Sequence, residues 1–135
     1  MAKTKPTVFV VDDDAAVRSS LCWLISSLNW NVRAFPSAGD FLETVPPTDR
    51  GCAIVDVRMP GMSGLRLQRE IRDHYPHVKT ILMSAYGTRE AAESALANGA
   101  LGYLEKPIND DVLVDLLRKG IQSDNGNSNE PPLPF

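Results

Sequence analysis

The chain is poor in cysteine and histidine, with two of each in 135 residues, and no apolar run approaches the length of a membrane span. Each scarcity removes a class of function. Cys22 and Cys52 stand far apart with no Cys-x-x-Cys pair, so both read as reduced, core-type thiols rather than a disulfide or zinc site. His74 and His77 straddle Pro76, so no regular helical face carries both and a histidine metal site is not expected. An excess of positive charge is also missing: 14 Lys and Arg face 17 Asp and Glu, for a net charge of −3. No basic stripe is left to neutralise nucleic-acid phosphates, so DNA binding by this chain alone is not expected. Met1 to Thr7 is polar and lysine-bearing with no apolar stretch of a secretion signal behind it, and the expected compartment is the cytoplasm. No internal repeat is present.

What is there is 43% hydrophobic residues, enough in a chain of this length for one buried core. Five short apolar runs, Val8 to Val11, Asn31 to Phe35, Cys52 to Val55, Thr80 to Met83 and Leu101 to Leu104, alternate with five segments of helical period. That alternation predicts parallel βα units with both sheet faces covered. The first helix follows Asp14, with Val17, Leu21, Leu24, Ile25 and Leu28 on one face. Ser37 starts a short second helix, and Ser63 caps a third that carries Leu65, Leu67 and Ile71 and stops near Pro76. Thr88 begins an alanine-rich fourth, stopped by Asn98 and Gly99, and Asn109 caps a fifth that ends with Arg118 and Lys119. From Ser123 the composition turns to Asn, Gly, Ser and Pro, so residues 1–122 are expected to form the domain and 123–135 a disordered tail or interdomain linker.

In a doubly wound α/β sheet, ligands bind beyond the carboxyl ends of the strands, where strand order reverses. The polar residues there are Asp12, Asp13 and Asp14 after the first strand, Asp56 after the third, Ser84 after the fourth, and Lys106 before Pro107 after the fifth. Singly they are helix caps, turn formers and solvated charges. Together they are carboxylates that repel one another unless a cation lies between them, and oxygen ligands suit a hard divalent ion such as Mg²⁺. With that charge neutralised a phosphoryl group could approach. Asp56 would then be the nucleophile, with Ser84 and Lys106 donating to the phosphoryl oxygens.

The stretches VFVVDDD, IVDVRMPGMSG, ILMSAYG and GYLEKP, in this order and spacing, resemble the signatures of the response-regulator receiver family of two-component systems, over roughly Thr7 to Gln122. The wording of RMPGMSG and GALGYLEKP is most similar to nitrogen-fixation regulators of the FixJ type, which normally carry a LuxR-type helix-turn-helix. The resemblance implies a flavodoxin-like (βα)5 fold with strand order 2-1-3-4-5 and a signalling switch rather than an enzyme. Asp56 would be the phosphoacceptor, self-phosphorylating from phosphodonors with Mg²⁺ or Mn²⁺ and slowly losing the group again. It further implies Asp13 and Asp56 as metal ligands with the main-chain carbonyl of Arg58, Asp12 acting through water, Ser84 and Tyr103 as switch residues, and a cis bond from Lys106 to Pro107. Asp14 matches no family role and stays a helix cap.

The implied partners are a sensor histidine kinase, a second copy of the chain on phosphorylation, and DNA only through a possible C-terminal output domain. Trp23 falls off the apolar stripe of the first helix, so a solvent-facing donor contact is expected around Ala15, Ser19, Cys22 and Trp23, together with Ile108. Arg58 and Tyr86, two residues beyond the phosphoacceptor and the switch hydroxyl, are expected to shield the phosphoryl group. A haloacid-dehalogenase-type phosphohydrolase fits less well. Ala16 stands where that family needs Thr, and no later acidic pair follows Met83 or Leu104. A flavodoxin-like flavin site is disfavoured too, because DDDAAV would repel its phosphate.

Overall fold

A computed structural model describes residues 6–124 of the chain. Five βα units follow in order: β1 (Thr7–Val11), α1 (Ala15–Ser27), β2 (Asn31–Phe35), α2 (Ala38–Thr44), β3 (Gly51–Asp56), α3 (Gly64–His74), β4 (Val78–Ser84), α4 (Arg89–Ala97), β5 (Gly102–Glu105) and α5 (Asp110–Asp124). The strands form one parallel sheet in the order β2-β1-β3-β4-β5, the doubly wound arrangement expected of the sequence. The α5 helix runs one residue past Ser123, so the expected tail does not begin there. Its remainder, from residue 125, lies outside the described residues.

The central strands are buried on both faces, and their alternation sorts side chains into two cores. Phe9, Val11, Ala53, Val55 and Leu82 face α2, α3 and α4, while Val8, Val10, Cys52, Ile54, Ile81 and Met83 face α1 and α5. Aromatic packing dominates the first core. The Phe41 ring meets Phe9 edge-on at 5.5 Å and Phe35 at 5.6 Å, and the hydroxyl of Tyr75 donates to the Val45 carbonyl at 2.8 Å. In the second core Leu21 and Ile25 of α1 pack with Leu113, Leu117 and Ile121 of α5. Cys52 belongs there, fully buried, with its thiol pKa pushed up to about 12 by desolvation. Cys22 departs from expectation, because its place on α1 turns it half toward solvent; it is not a core residue.

Each helix starts where capping chemistry allows. The Asp14 carboxylate accepts from the amides of Ala16 and Val17, and the hydroxyls of Ser37, Ser63 and Thr88 accept from amides three residues on. The Asn109 side chain does the same for Val112. On α3 the buried face is Gly64, Leu67, Gln68 and Ile71, and Leu65 is half-buried. A Cβ at Gly64 would fall 2.0 Å from the Asp56 carbonyl oxygen, so glycine is what lets α3 start directly behind the end of β3. Gln68 reaches across to α4, its Nε2 donating to the Ala95 carbonyl at 2.7 Å, and the Arg72 guanidinium bonds the Asn98 side chain. The last turn of α4 is thereby held by α3.

Candidate functional site

Beyond the carboxyl ends of β1, β3, β4 and β5 the polar groups converge. Asp12 is wholly buried and every polar atom it has is engaged. Its amide donates to the Phe35 carbonyl at 3.2 Å, and its own carbonyl accepts from Arg18 Nη1 at 2.7 Å. Its Oδ1 accepts from the Asp14 amide at 2.9 Å and its Oδ2 from Lys106 Nζ at 2.9 Å. Asp13 is exposed beside it, and Asp56, 4% exposed, closes β3. One carboxylate oxygen from each of Asp12, Asp13 and Asp56 lies within 4.8 Å of the others. Lys106 Nζ stands 3.4 Å from Asp56 Oδ1, and the bond from Lys106 to Pro107 is cis, as the resemblance implied.

The electrostatics follow from that crowding. Burial raises the pKa of Asp56, the negative charges of Asp12 and Asp13 raise it further, and Lys106 opposes them. For Lys106, burial pulls the pKa down, but the hydrogen bond and charge of Asp12, joined by Asp56, outweigh it and leave the ammonium strengthened. Three carboxylates against one ammonium leave negative charge in excess, presented by oxygen donors only, and that donor set suits Mg²⁺ or Mn²⁺.

Ser84 ends β4 buried, its Oγ accepting from the Tyr86 amide at 3.2 Å. Tyr103 on β5 is half-buried, and its hydroxyl is already turned in, with no hydrogen-bond partner among the described residues. Gly87 makes that position possible: a Cβ there would come within 3.0 Å of the tyrosine Cε1 and 3.2 Å of its Oη. Arg58 and Tyr86, both exposed, meet each other, the guanidinium carbon 5.8 Å from the ring centroid.

Of the residues expected to face a phosphodonor, Trp23 is 76% exposed. Together with Ile108 it lines a cleft of about 550 Å³ between α1 and the turn from β5 into α5. Ala15, Ser19 and Cys22 lie on a neighbouring stripe of α1 and do not line this cleft; Ala16, Val17, Ser20 and Leu24 do. Two residues were missed by the sequence reading. Arg18 carries no feature in the sequence that sets it apart from other helix cations. Gln68 stood at i+4 from Gly64 on the buried face of α3, where a polar residue at a core position was the available signal.

Fold and site together define a class: doubly wound α/β domains that gather carboxylates, a hydroxyl and a lysine in one crevice at their strand ends. The chain belongs to the response regulator receiver domain family, whose sequence profile matches residues 8–118. It is 41% identical over 115 residues to the transcriptional regulatory protein TdiR of Thauera aromatica, covering 85% of this chain and 51% of that protein. It is also 41% identical over 114 residues to the transcriptional regulatory protein FixJ of Azorhizobium caulinodans, covering 84% and 54%. Full-length FixJ from B. japonicum superposes with a TM-score of 0.82 at 34% identity, over 93% of this chain and 62% of that structure. The chain thus spans about half the length of the curated relatives it matches. Receiver domains bind Mg²⁺ in an acidic pocket, and the Asp12, Asp13 and Asp56 cluster supplies such a pocket here. No helix among the described residues is long and apolar enough to cross a membrane.

Proposed function

We propose that the chain is the input half of a transcriptional regulator, taking a phosphoryl group onto Asp56 from a phosphohistidine of a sensor histidine kinase. The observation that carries this reading is the setting of Asp56: buried, at a strand end, 3.4 Å from an ammonium and amid acidic oxygens. An Asp56 carboxylate oxygen attacks phosphorus, the bond from phosphorus to the donor nitrogen breaks, and the donor imidazole leaves with the electron pair. Lys106 and Ser84 donate to the phosphoryl oxygens. Asp13, Asp56 and the Arg58 main-chain carbonyl would hold Mg²⁺, with Asp12 acting through water, and the ion supplies charge neutralisation for the incoming phosphoryl group. Closure of Ser84 on the new oxyanion, with the inward Tyr103 behind it, would rearrange the face made by α4, β5 and α5 and favour pairing of two copies. DNA would be reached only through a further domain, in keeping with relatives named as transcriptional regulators. The test is to incubate the chain with acetyl phosphate and Mg²⁺. A hydroxylamine-labile phosphoryl group on the Asp56 peptide is expected, and its absence overturns the reading.

The cleft beside Trp23 is where the donor docks in this reading. Trp23→Ala should slow transfer from a kinase by about fivefold, near 1 kcal/mol of lost contact, and leave labelling by acetyl phosphate unchanged. Equal slowing with both donors would assign Trp23 to folding instead.

Loss of the phosphoryl group needs a water in line with the breaking bond, and in this reading Arg58 and Tyr86, which pair with each other 5.8 Å apart, would shield that approach. Neither side chain is a small amide or acid of the kind that positions water, so the phosphorylated form should be long-lived. Arg58→Asn combined with Tyr86→Glu should shorten its lifetime about tenfold, roughly 1.4 kcal/mol in barrier. Decay at the parent rate, followed at saturating Mg²⁺ without kinase, would dismiss the shield.

A further inference from the structure

Arg18 lies on α1, four residues after the Asp14 cap, with its side chain half-buried. Three carboxylates, those of Asp12, Asp13 and Asp14, crowd the turn it reaches into. Its guanidinium nevertheless goes to a main-chain oxygen, the Asp12 carbonyl at 2.7 Å, and forms no ion pair among the described residues. A charge-assisted bond of that length is among the stronger a carbonyl can accept, and here it fixes one specific peptide plane, the one joining Asp12 to Asp13.

That plane matters because of how the turn is built. Asp12 is immobilised on its other polar atoms by Phe35, Asp14 and Lys106. Asp14 is occupied as the cap of α1, and its carbonyl accepts from the Arg18 amide at 3.0 Å. Asp13 is different: its carboxylate is exposed and forms no hydrogen bond or ion pair among the described residues. Its own contacts therefore do not set where it points. The backbone does, and rotation of the Asp12–Asp13 peptide would swing Asp13 away from the oxygens it now stands within 4.8 Å of. Among the described residues Arg18 is the one side chain that holds the carbonyl of that peptide.

We infer that Arg18 is a positioning residue for the cation pocket, locking the Asp12–Asp13 peptide so that the Asp13 carboxylate faces Asp56. The inference rests on the reading of this cluster as a Mg²⁺ site. The sign of its effect separates it from the simplest alternative. As a positive charge near the pocket, Arg18 would repel Mg²⁺, and removing it would tighten binding. As the lock on Asp13, its removal loosens binding, because ordering the ligand then has to be done by the ion.

The experiment is calorimetric titration of the whole chain with Mg²⁺, for the parent, Arg18→Ala, Arg18→Met and Arg18→Lys, with thermal melts of each. Arg18→Met keeps the aliphatic stem and serves if the alanine variant fails to fold. Arg18→Ala and Arg18→Met should bind Mg²⁺ about fivefold more weakly, and Arg18→Lys, which keeps both charge and donor, should recover most of the loss. Acetyl phosphate labelling of Arg18→Met should need correspondingly more Mg²⁺ yet reach a rate within about twofold of the parent at saturation. Unchanged or tighter Mg²⁺ binding by Arg18→Met overturns the inference, and so does a lowered melting temperature with parent affinity. A parent chain that binds no Mg²⁺ would instead bring down the metal reading itself, and Arg18 with it.

Discussion

Asp56→Asn should take up no phosphoryl group, from acetyl phosphate or from a kinase, and should melt higher than the parent. The first result follows from nucleophilicity, since an amide oxygen has neither the charge nor the lone-pair basicity to attack phosphorus. The second follows from the raised pKa of Asp56, caused first by burial and then by Asp12. A group whose pKa is raised on folding contributes stability that is complete below its unfolded value, about 3.9 for Asp, and lost as pH rises through the folded value. At pH 7 the parent has therefore lost that contribution, and a neutral amide of the same shape escapes the loss. Lys106 keeps its 2.9 Å bond to Asp12 in the variant. The gain should be about 3 °C in Tm at pH 7, the size of about 1 kcal/mol in a domain of this length, and should shrink as pH falls toward 4. Full labelling of the variant would show that another residue is the acceptor. A lower Tm at pH 7 would show that the Asp56–Lys106 pairing outweighs burial and repulsion.

Asp13→Ala should weaken Mg²⁺ binding more than tenfold, at least about 1.4 kcal/mol, from a parent affinity expected on the order of high micromolar to millimolar. Asp13 is the carboxylate of the cluster that is exposed, whereas Asp12 spends both its oxygens on Asp14 and Lys106. An incoming cation finds its least encumbered ligand there. The fold should be retained, because the side chain is exposed and makes no hydrogen bond or ion pair among the described residues. Its negative charge adds to the raised pKa of Asp56, so that carboxyl should titrate closer to the ordinary range in the variant. Calorimetry showing parent affinity would strike Asp13 from the ligand set.

What the sequence made legible is what local chemistry decides. β2 occupies its expected span, and the Asp14, Ser37, Ser63 and Thr88 caps are where they were read, because a side-chain acceptor beside free amides is a matter of a few neighbouring residues. The convergence of Asp12, Asp13, Asp56 and Lys106 was legible too, since parallel βα topology sends successive strand ends to one edge. Features that depend on a partner distant in sequence were hidden. Gln68 is buried because Ala95, 27 residues on, offers it a carbonyl. The cleft beside Trp23 takes its lining from Ala16 and Ser20 rather than Ala15 and Ser19, a rotation of α1 fixed by how Leu21 and Ile25 seat on the sheet. Arg18 escaped notice because helical spacing pairs side chains with side chains, and its partner is a backbone oxygen of the turn before the helix.

The division of the interior by the sheet carries a consequence for how such a domain changes over generations. Because α1 and α5 rest on one apolar cluster and α2 and α3 on the other, drift in the aromatic packing of Phe9, Phe35 and Phe41 leaves the seat of α1 undisturbed. A change in α1 is inherited in a different way. Any change reaching Leu21 or Ile25 alters the bed on which Leu113 and Leu117 lie, so the first helix and the last helix must be revised together, as one heritable unit.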